Sequence, residues 1–371
     1  MMEFIKENIK NVLGWRTKRK IVVFSVDDYG NVRLASPTAR RKLDEAGLKI
    51  QNRFDALDSL ENREDLEQLF DALTSVKDKN NRNAVFTPFS MSCNIDFDTM
   101  KAENYQRYVP ELLTTTFQKV SAEDPKQYEG TWSLVKQGIE SRIFIPQYHG
   151  REHLNLKVFE EKLKKRDAEL ITCLENKSYT SISNSGYTSI SYTAAFDFDD
   201  VKENDKLQEI AQDGLACFEK VYGYKSVHFN APGGRESSII HKCLLDKGIK
   251  YIDAPWIKRE HTGHGKYKTI IYHTGKKNKL GQLIIVRNVV FEPTDNRGFD
   301  WVNHTLRQID VAFSWNKPAV ISSHRVNFCG HIDPANRSNG ISALRILLKE
   351  IVKRWPDVEF REAHELGRLI A

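Results

Sequence analysis

The chain has no CxxC pair, no long apolar run and no Pro/Gly/Ser tract that would serve as a linker. Its five cysteines (93, 173, 217, 243 and 329) are scattered and odd in number, which argues against a disulfide framework and for free thiols in a reducing compartment. No stretch is long and apolar enough to read as a transmembrane helix. A continuous signal-peptide core is missing too. Phe4, Ile5, Ile9, Val12 and Leu13 are interrupted by Glu and Lys, the pattern of an amphipathic helix within 1–18 that docks on the body, so a cytoplasmic location is expected. No nucleic-acid motif accompanies the net charge of +6, and the most basic run, Arg16-Thr-Lys-Arg-Lys20, leads straight into an apolar strand, so no nucleic-acid partner is expected. With no internal linker, 19–371 reads as one domain with insertions near 92–127, 177–200 and 257–290.

What is present is strand–helix alternation from end to end. The run Ile21 to Val26 is β-branched and nearly continuous, as in a strand buried on both faces. Further strands are predicted at 84–89 (closed by Pro88), 142–148, 225–229, 250–253, 318–323 and 358–360. Helices are predicted after the Ser36-Pro37 start and at 62–79, 130–141, 156–176, 204–222, 237–248, 300–315, 339–354 and 363–370. Residues 178–193 read as a hairpin or a polar surface loop, and 269–273 with 282–286 as a hairpin. The alternation argues for a parallel sheet or barrel. Polar clusters close strand after strand: Asp27/Asp28, His149/His153, Asn230 to Arg235, Asp253/Trp256 and His324. Sites in α/β barrels and open sheets lie at that edge.

Two adjacent carboxylates at the mouth of a buried strand are costly unless compensated, and a divalent metal is one compensation; a plain strand-end turn is the other reading. Strand alternation would let one Asp hold a metal while the other faces a reacting group. His149 and His153 have a spacing that suits two ligands on one turn or helix, though a structural pair is equally compatible with it. Glu152 completes His-x-x-Glu-His, an inverzincin peptidase motif, but that motif needs a continuous helix, and Pro146 and Gly150 argue against one.

In order, Asp-Asp-x-Gly, H-x-x-x-H, a Pro-Gly loop, a Trp-bearing loop and Ser-His resemble the polysaccharide deacetylase family (NodB-like, carbohydrate esterase family 4), over roughly 19–370. The resemblance implies an α/β fold, a distorted, partly open (β/α)7-type barrel. It implies a divalent metal, zinc by donor type, on Asp28, His149 and His153. Asp27 would be the general base toward a metal-activated water, His324 the general acid, and a backbone N–H near Tyr29 or Gly30 the oxyanion donor. Asp253 would hold His324, Trp256 would line the pocket, and Pro232 and Gly233 would shape the third loop. The implied reaction is deacylation of an amino-sugar or glycan. The sequence departs from the family at Asn230, where an Arg usually steadies the base, at Gly150 and at Ser322; Arg235 is a candidate for the missing charge or an ordinary helix-start residue. A hydrolase of small linear or cyclic amides (the allantoinase-like branch) and a carbohydrate-binding pseudoenzyme are the alternatives. The sugar, the acyl group and the oligomeric state stay open.

Overall fold

The computed structural model describes residues 2–371, with backbone alone for 2–4, so Met1 and the Phe4 side chain lie outside the described residues. Strand β1 (Lys20–Tyr29) feeds two cores. Val22, Phe24 and Val26 pack outward against helices Arg63–Thr74, Trp301–Ser314 and Pro334–Arg354. Ile21 and Val23 point inward, toward Ile285, Val320 and the C-terminal helix Ala363–Ile370. Burying each such side chain contributes roughly 1.5–3 kcal/mol.

The remaining strands of the main sheet are β2 (Phe86–Met91), β3 (Gln147–Gly150), β4 (His228–Phe229), β5 (Tyr251–Ala254), β6 (Leu283–Val286), β7 (Val289–Val290), β8 (Ala319–His324) and β9 (Val358–Phe360). Their spatial order is β6-β5-β4-β3-β2-β1-β8-β7, with β9 beside the start of β1 and every pair parallel. This is the cyclic order of a (β/α) barrel opened between β6 and β7. Only Arg287 and Asn288 join those two strands, where a closed barrel would have a crossover helix. The fold is a distorted, partly open (β/α) barrel, and the short β7 brings the staves to eight.

Several local expectations change. Pro88 does not end β2; it pairs with Val26, just before the β1–β2 register shifts, where a missing N–H is tolerated. The 62–79 helix stops at Thr74, and 156–176 divides into Leu156–Lys164 and Ala168–Glu175 around Arg166 at φ 52°. Residues 178–193 form no strand. The strand Lys266–Ile271 pairs with Ile257–Gly263, not with 282–286. Leu283–Val286 instead joins β5, because a continuous apolar run buries both faces in a parallel sheet. The N-terminal helix Met2–Val12 docks through Glu7, paired with Arg307, and Asn11, bonded to Asn288. Its apolar residues Ile5, Ile9 and Val12, and Leu13 just after it, face outward, the reverse of the expected docking. Among the described residues no helix is long and apolar enough to cross a membrane.

Candidate active site

The strand ends surround a cleft of about 540 Å³. By strand parity Asp27 faces inward with Ile21 and Val23, and Asp28 should face out. Asp28 instead adopts φ 75°, inside the register shift, and both carboxylates line the cleft. The expected opposite-facing pair is therefore replaced by a convergent one. A left-handed non-glycine residue costs about 1–3 kcal/mol, a strain typical of functional sites.

Asp28 Oδ1 lies 2.9 Å from His153 Nε2 and 3.3 Å from His149 Nε2, and all three residues are buried. Burial opposes the charge on Asp28, but His153 and His149 outweigh it and hold the carboxyl well below its usual range. His149 Nδ1 lies 2.6 Å from the Asn230 carbonyl, which can accept its N–H, so Nε2 is the ring atom that faces Asp28. One donor atom from each residue lies within 4.8 Å of the others. Zinc at 2.0–2.1 Å from its ligands has tetrahedral edges of about 3.3 Å, so this donor set suits a divalent ion of that kind. His149 lies in a strand, one residue before its end, and His153 sits in an irregular turn, which excludes the helical peptidase motif. Glu152 turns away to Arg151 and the Tyr108 hydroxyl.

Asp27 accepts two bonds from Arg287 (Nη1 to Oδ2, 2.6 Å; Nη2 to Oδ1, 2.8 Å) and one from Asn230 Nδ2 (2.9 Å). Arg287 Nε donates to Asp253 Oδ2 (2.7 Å), and Asp253 Oδ1 meets His228 Nε2 (2.7 Å). Arg235 is elsewhere, bonded to Asp197 and the Ser189 carbonyl. His324 pairs in register with Asp27, and its Nε2 lies 3.9 Å from Asp27 Oδ2. Glu292, not Asp253, holds the other side of that ring, at 2.6 Å from Nδ1. Burial disfavours the imidazolium, but Glu292, Asp28 and Asp27 outweigh it and push His324 up to about 9. The Gly30 N–H donates to Glu61 (3.0 Å), and the Tyr29 ring packs edge-on against Phe144. Neither of those side chains or that N–H faces the cleft. Gly233 lines it, Pro232 packs behind Gly150, and Trp256 packs against a separate apolar cluster that includes Tyr148, Phe229 and Tyr272, outside the lining.

No family model matches the chain, and no curated protein matches it. Polysaccharide deacetylases are among the solved structures it resembles. A probable polysaccharide deacetylase from Pseudomonas aeruginosa PAO1 aligns at 10% identity over 95% of this chain and 91% of that one, with a TM-score of 0.46. The allantoinase Puue aligns at 12% identity over 95% and 91%, with a TM-score of 0.45. A family 4 acetyl xylan esterase from Clostridium thermocellum, in complex with a cobalt ion, aligns at 11% identity over 94% and 91%, with a TM-score of 0.37. The site described above stands on its own geometry.

Sequence reasoning missed Arg287, Glu292, Arg33 and Phe54, which all take part in or around the cleft. Arg287 was within reach: it follows the apolar run Leu283–Val286, and the strand-end rule used elsewhere would have found it had that run been read as a sheet strand. Glu292 had no such signal, because β7 is only two residues long. His261, on the strand Ile257–Gly263, is buried, stacked between Phe198 and Tyr267 and bonded to Asp197.

Proposed function

We propose that the chain is a metal-dependent hydrolase that removes an acyl group, acetyl in the simplest case, from an amino-sugar or glycan. One observation carries this reading: a buried Asp28–His149–His153 donor triplet beside a separate carboxylate–imidazole pair, Asp27 and His324. A divalent cation held by the triplet, zinc in this reading, supplies acidification of water and polarisation of the acyl carbonyl. Asp27, oriented by Arg287 and Asn230, accepts the proton of the attacking water. His324, kept charged by Glu292, donates a proton to the leaving amine or alkoxide. Its raised pKa makes the acid form the resting one at neutral pH. Arg287 also supplies Asp27 with the cation missing at position 230, which counts against one of the two grounds for the pseudoenzyme alternative; the departure at Ser322 is the other. Five free cysteines support a reducing, cytoplasmic setting as part of the same reading.

The test is amine release from N-acetylated chitooligosaccharides and from small linear and cyclic amides, using metal-loaded wild type, Asp27→Asn and His324→Ala. The reading expects turnover of the acylated sugars and a loss of at least about 100-fold in each variant. Turnover of small amides alone would move the substrate class to the allantoinase-like alternative. No turnover of either set at full metal occupancy would defeat the reading.

A further inference from the structure

Arg33 is the cation of the cleft that the reaction above leaves unused. It follows β1 in the turn before helix Pro37–Glu45 and is only 7% exposed. It lines the cleft with Asp28, His153 and His324, and also an adjoining 240 Å³ pocket formed in part by Asn52, Ser191 and Thr193. Its Nε has no hydrogen-bond partner, and it forms no ion pair among the described residues. The face of Phe54 lies 5.1 Å from its Cζ. Burial disfavours its charge, but Tyr179, Asp58, Asp55 and Asp28 outweigh that at longer range and raise its pKa; none of them bonds the guanidinium, although Asp58 Oδ2 has no hydrogen-bond partner of its own. Asp58 bonds Arg325, Asp55 bonds Thr180 and the Gln51 N–H, and Asp28 faces the two histidines. The other guanidinium groups around the cleft are committed: Arg287 to Asp27 and Asp253, Arg53 to Glu292. Burying a cation without partners is costly. A guanidinium that lines a cavity with no bonded partner is a receptor for an oxyanion through its terminal nitrogens.

We propose that Arg33 binds a negatively charged group of the substrate, a carboxylate or a phosphate, on the half that leaves as amine or alcohol. This rests on the hydrolase reading of the same cleft. Phe54 fixes which half is meant. Its ring faces Arg33 and also meets the His324 ring edge-on, with centroids 5.3 Å apart. The acid that serves the leaving group and the unpaired guanidinium therefore flank one aromatic ring, while the acyl end belongs to the Asp28–His149–His153 triplet. Thr193 and the Asn52 side-chain amide, whose Oδ1 is taken by the Phe54 and Asp55 N–H groups, add further donors at the seam of the two cavities. The substrate class is thus an acylated sugar that carries an acidic group; a neutral glycan leaves the guanidinium unmet.

Calorimetric titration of the zinc-loaded full chain with N-acetylglucosamine, its 1-phosphate and N-acetylmuramic acid tests this, with released amine measured on the same samples. At least one acidic sugar should bind 10- to 100-fold more tightly than the neutral one, on the order expected of charge-assisted hydrogen bonds, and the one preferred identifies phosphate or carboxylate. Arg33→Met should abolish that preference at unchanged metal content and circular dichroism. Arg33→Lys, which keeps the charge without the fork, should restore part of it. Equal binding of all three sugars by the wild type overturns the inference. So does an equal weakening of all three in Arg33→Met, which would place Arg33 at the reacting carbonyl. If amine release fails while the acidic preference and its dependence on Arg33 persist, the hydrolase reading falls and the anion site stands. The wild-type preference needs no variant, so a variant that fails to fold leaves the test intact.

Discussion

Arg287→Gln is the perturbation that asks most of the site. The guanidinium uses Nη1 and Nη2 on Asp27 and Nε on Asp253, and all three side chains are at most one-tenth exposed. Removing it leaves two buried carboxylates short of their cation, with Asn230 and the more distant His324 (3.9 Å) remaining to Asp27 and His228 to Asp253. Breaking a buried ion pair by truncating one partner costs about 3–5 kcal/mol. For 371 residues, unfolding entropy of roughly 2.1 cal/mol/K per residue gives about 0.8 kcal/mol per degree, so the melting temperature should fall by about 4–6 °C. The rate should fall further than stability suggests, because misplacing the base by about an ångström alone costs on the order of 100-fold. Arg287→Lys retains the charge but not the two-pronged geometry, so it should recover part of the melting temperature and little of the rate. Differential scanning fluorimetry and amine release on the same preparations provide both readouts. A glutamine variant that melts within about 1 °C of wild type and keeps most of its kcat/KM would refute the reasoning.

Two further variants have defined outcomes. In Glu292→Gln, His324 should drop from about 9 toward its ordinary 6.5, and the alkaline limb of the pH–rate profile should move down with it. The sign for stability is the same: the raised pKa contributes fully below 6.5 and is lost as pH rises through about 9, so the melting difference between wild type and Glu292→Gln should shrink over that window; a difference that grows would contradict the assignment. Gly340→Ala puts a Cβ 1.7 Å from the Asn327 carbonyl oxygen, so it should lower stability by about 1–3 kcal/mol or more by chemical denaturation. Because Asn327 also donates to Glu292 Oε2 (2.7 Å), it should slow turnover as well, and a normal rate would mean that this support is dispensable.

The barrel was legible because buried parallel strands announce themselves. Ile21 to Val26 and Ala319 to Ser323 are apolar or small without alternation, and a polar pair follows each. The cap at Ser36, whose hydroxyl accepts the Ala39 N–H, was readable at single-residue level, and so was the start of the next helix at Asn62, though not its capping box with Asp65. Residue type and strand-end position marked the Asp27/Asp28 and His149/His153 pairs separately; the triplet Asp28, His149 and His153 was named through the family resemblance, and these atoms do converge. What escaped were contacts made by strand order rather than by chain order. Arg287 reaches Asp27 across 260 positions because β6 and β7 border the barrel's opening, and no local pattern records where a barrel fails to close. Glu292 reaches His324 for a similar reason, as β7 lies beside β8. Asp28's left-handed turn also defeats a parity argument that holds elsewhere along β1.

The central claim is the metal site, and elemental analysis of the purified chain beside His149→Ala tests it most directly. The account predicts about one transition ion per chain, zinc first, and its loss in the variant. A folded chain that binds no ion after incubation with zinc, cobalt or nickel at neutral pH would contradict it and leave Asp27 and Asp28 as a strand-end turn.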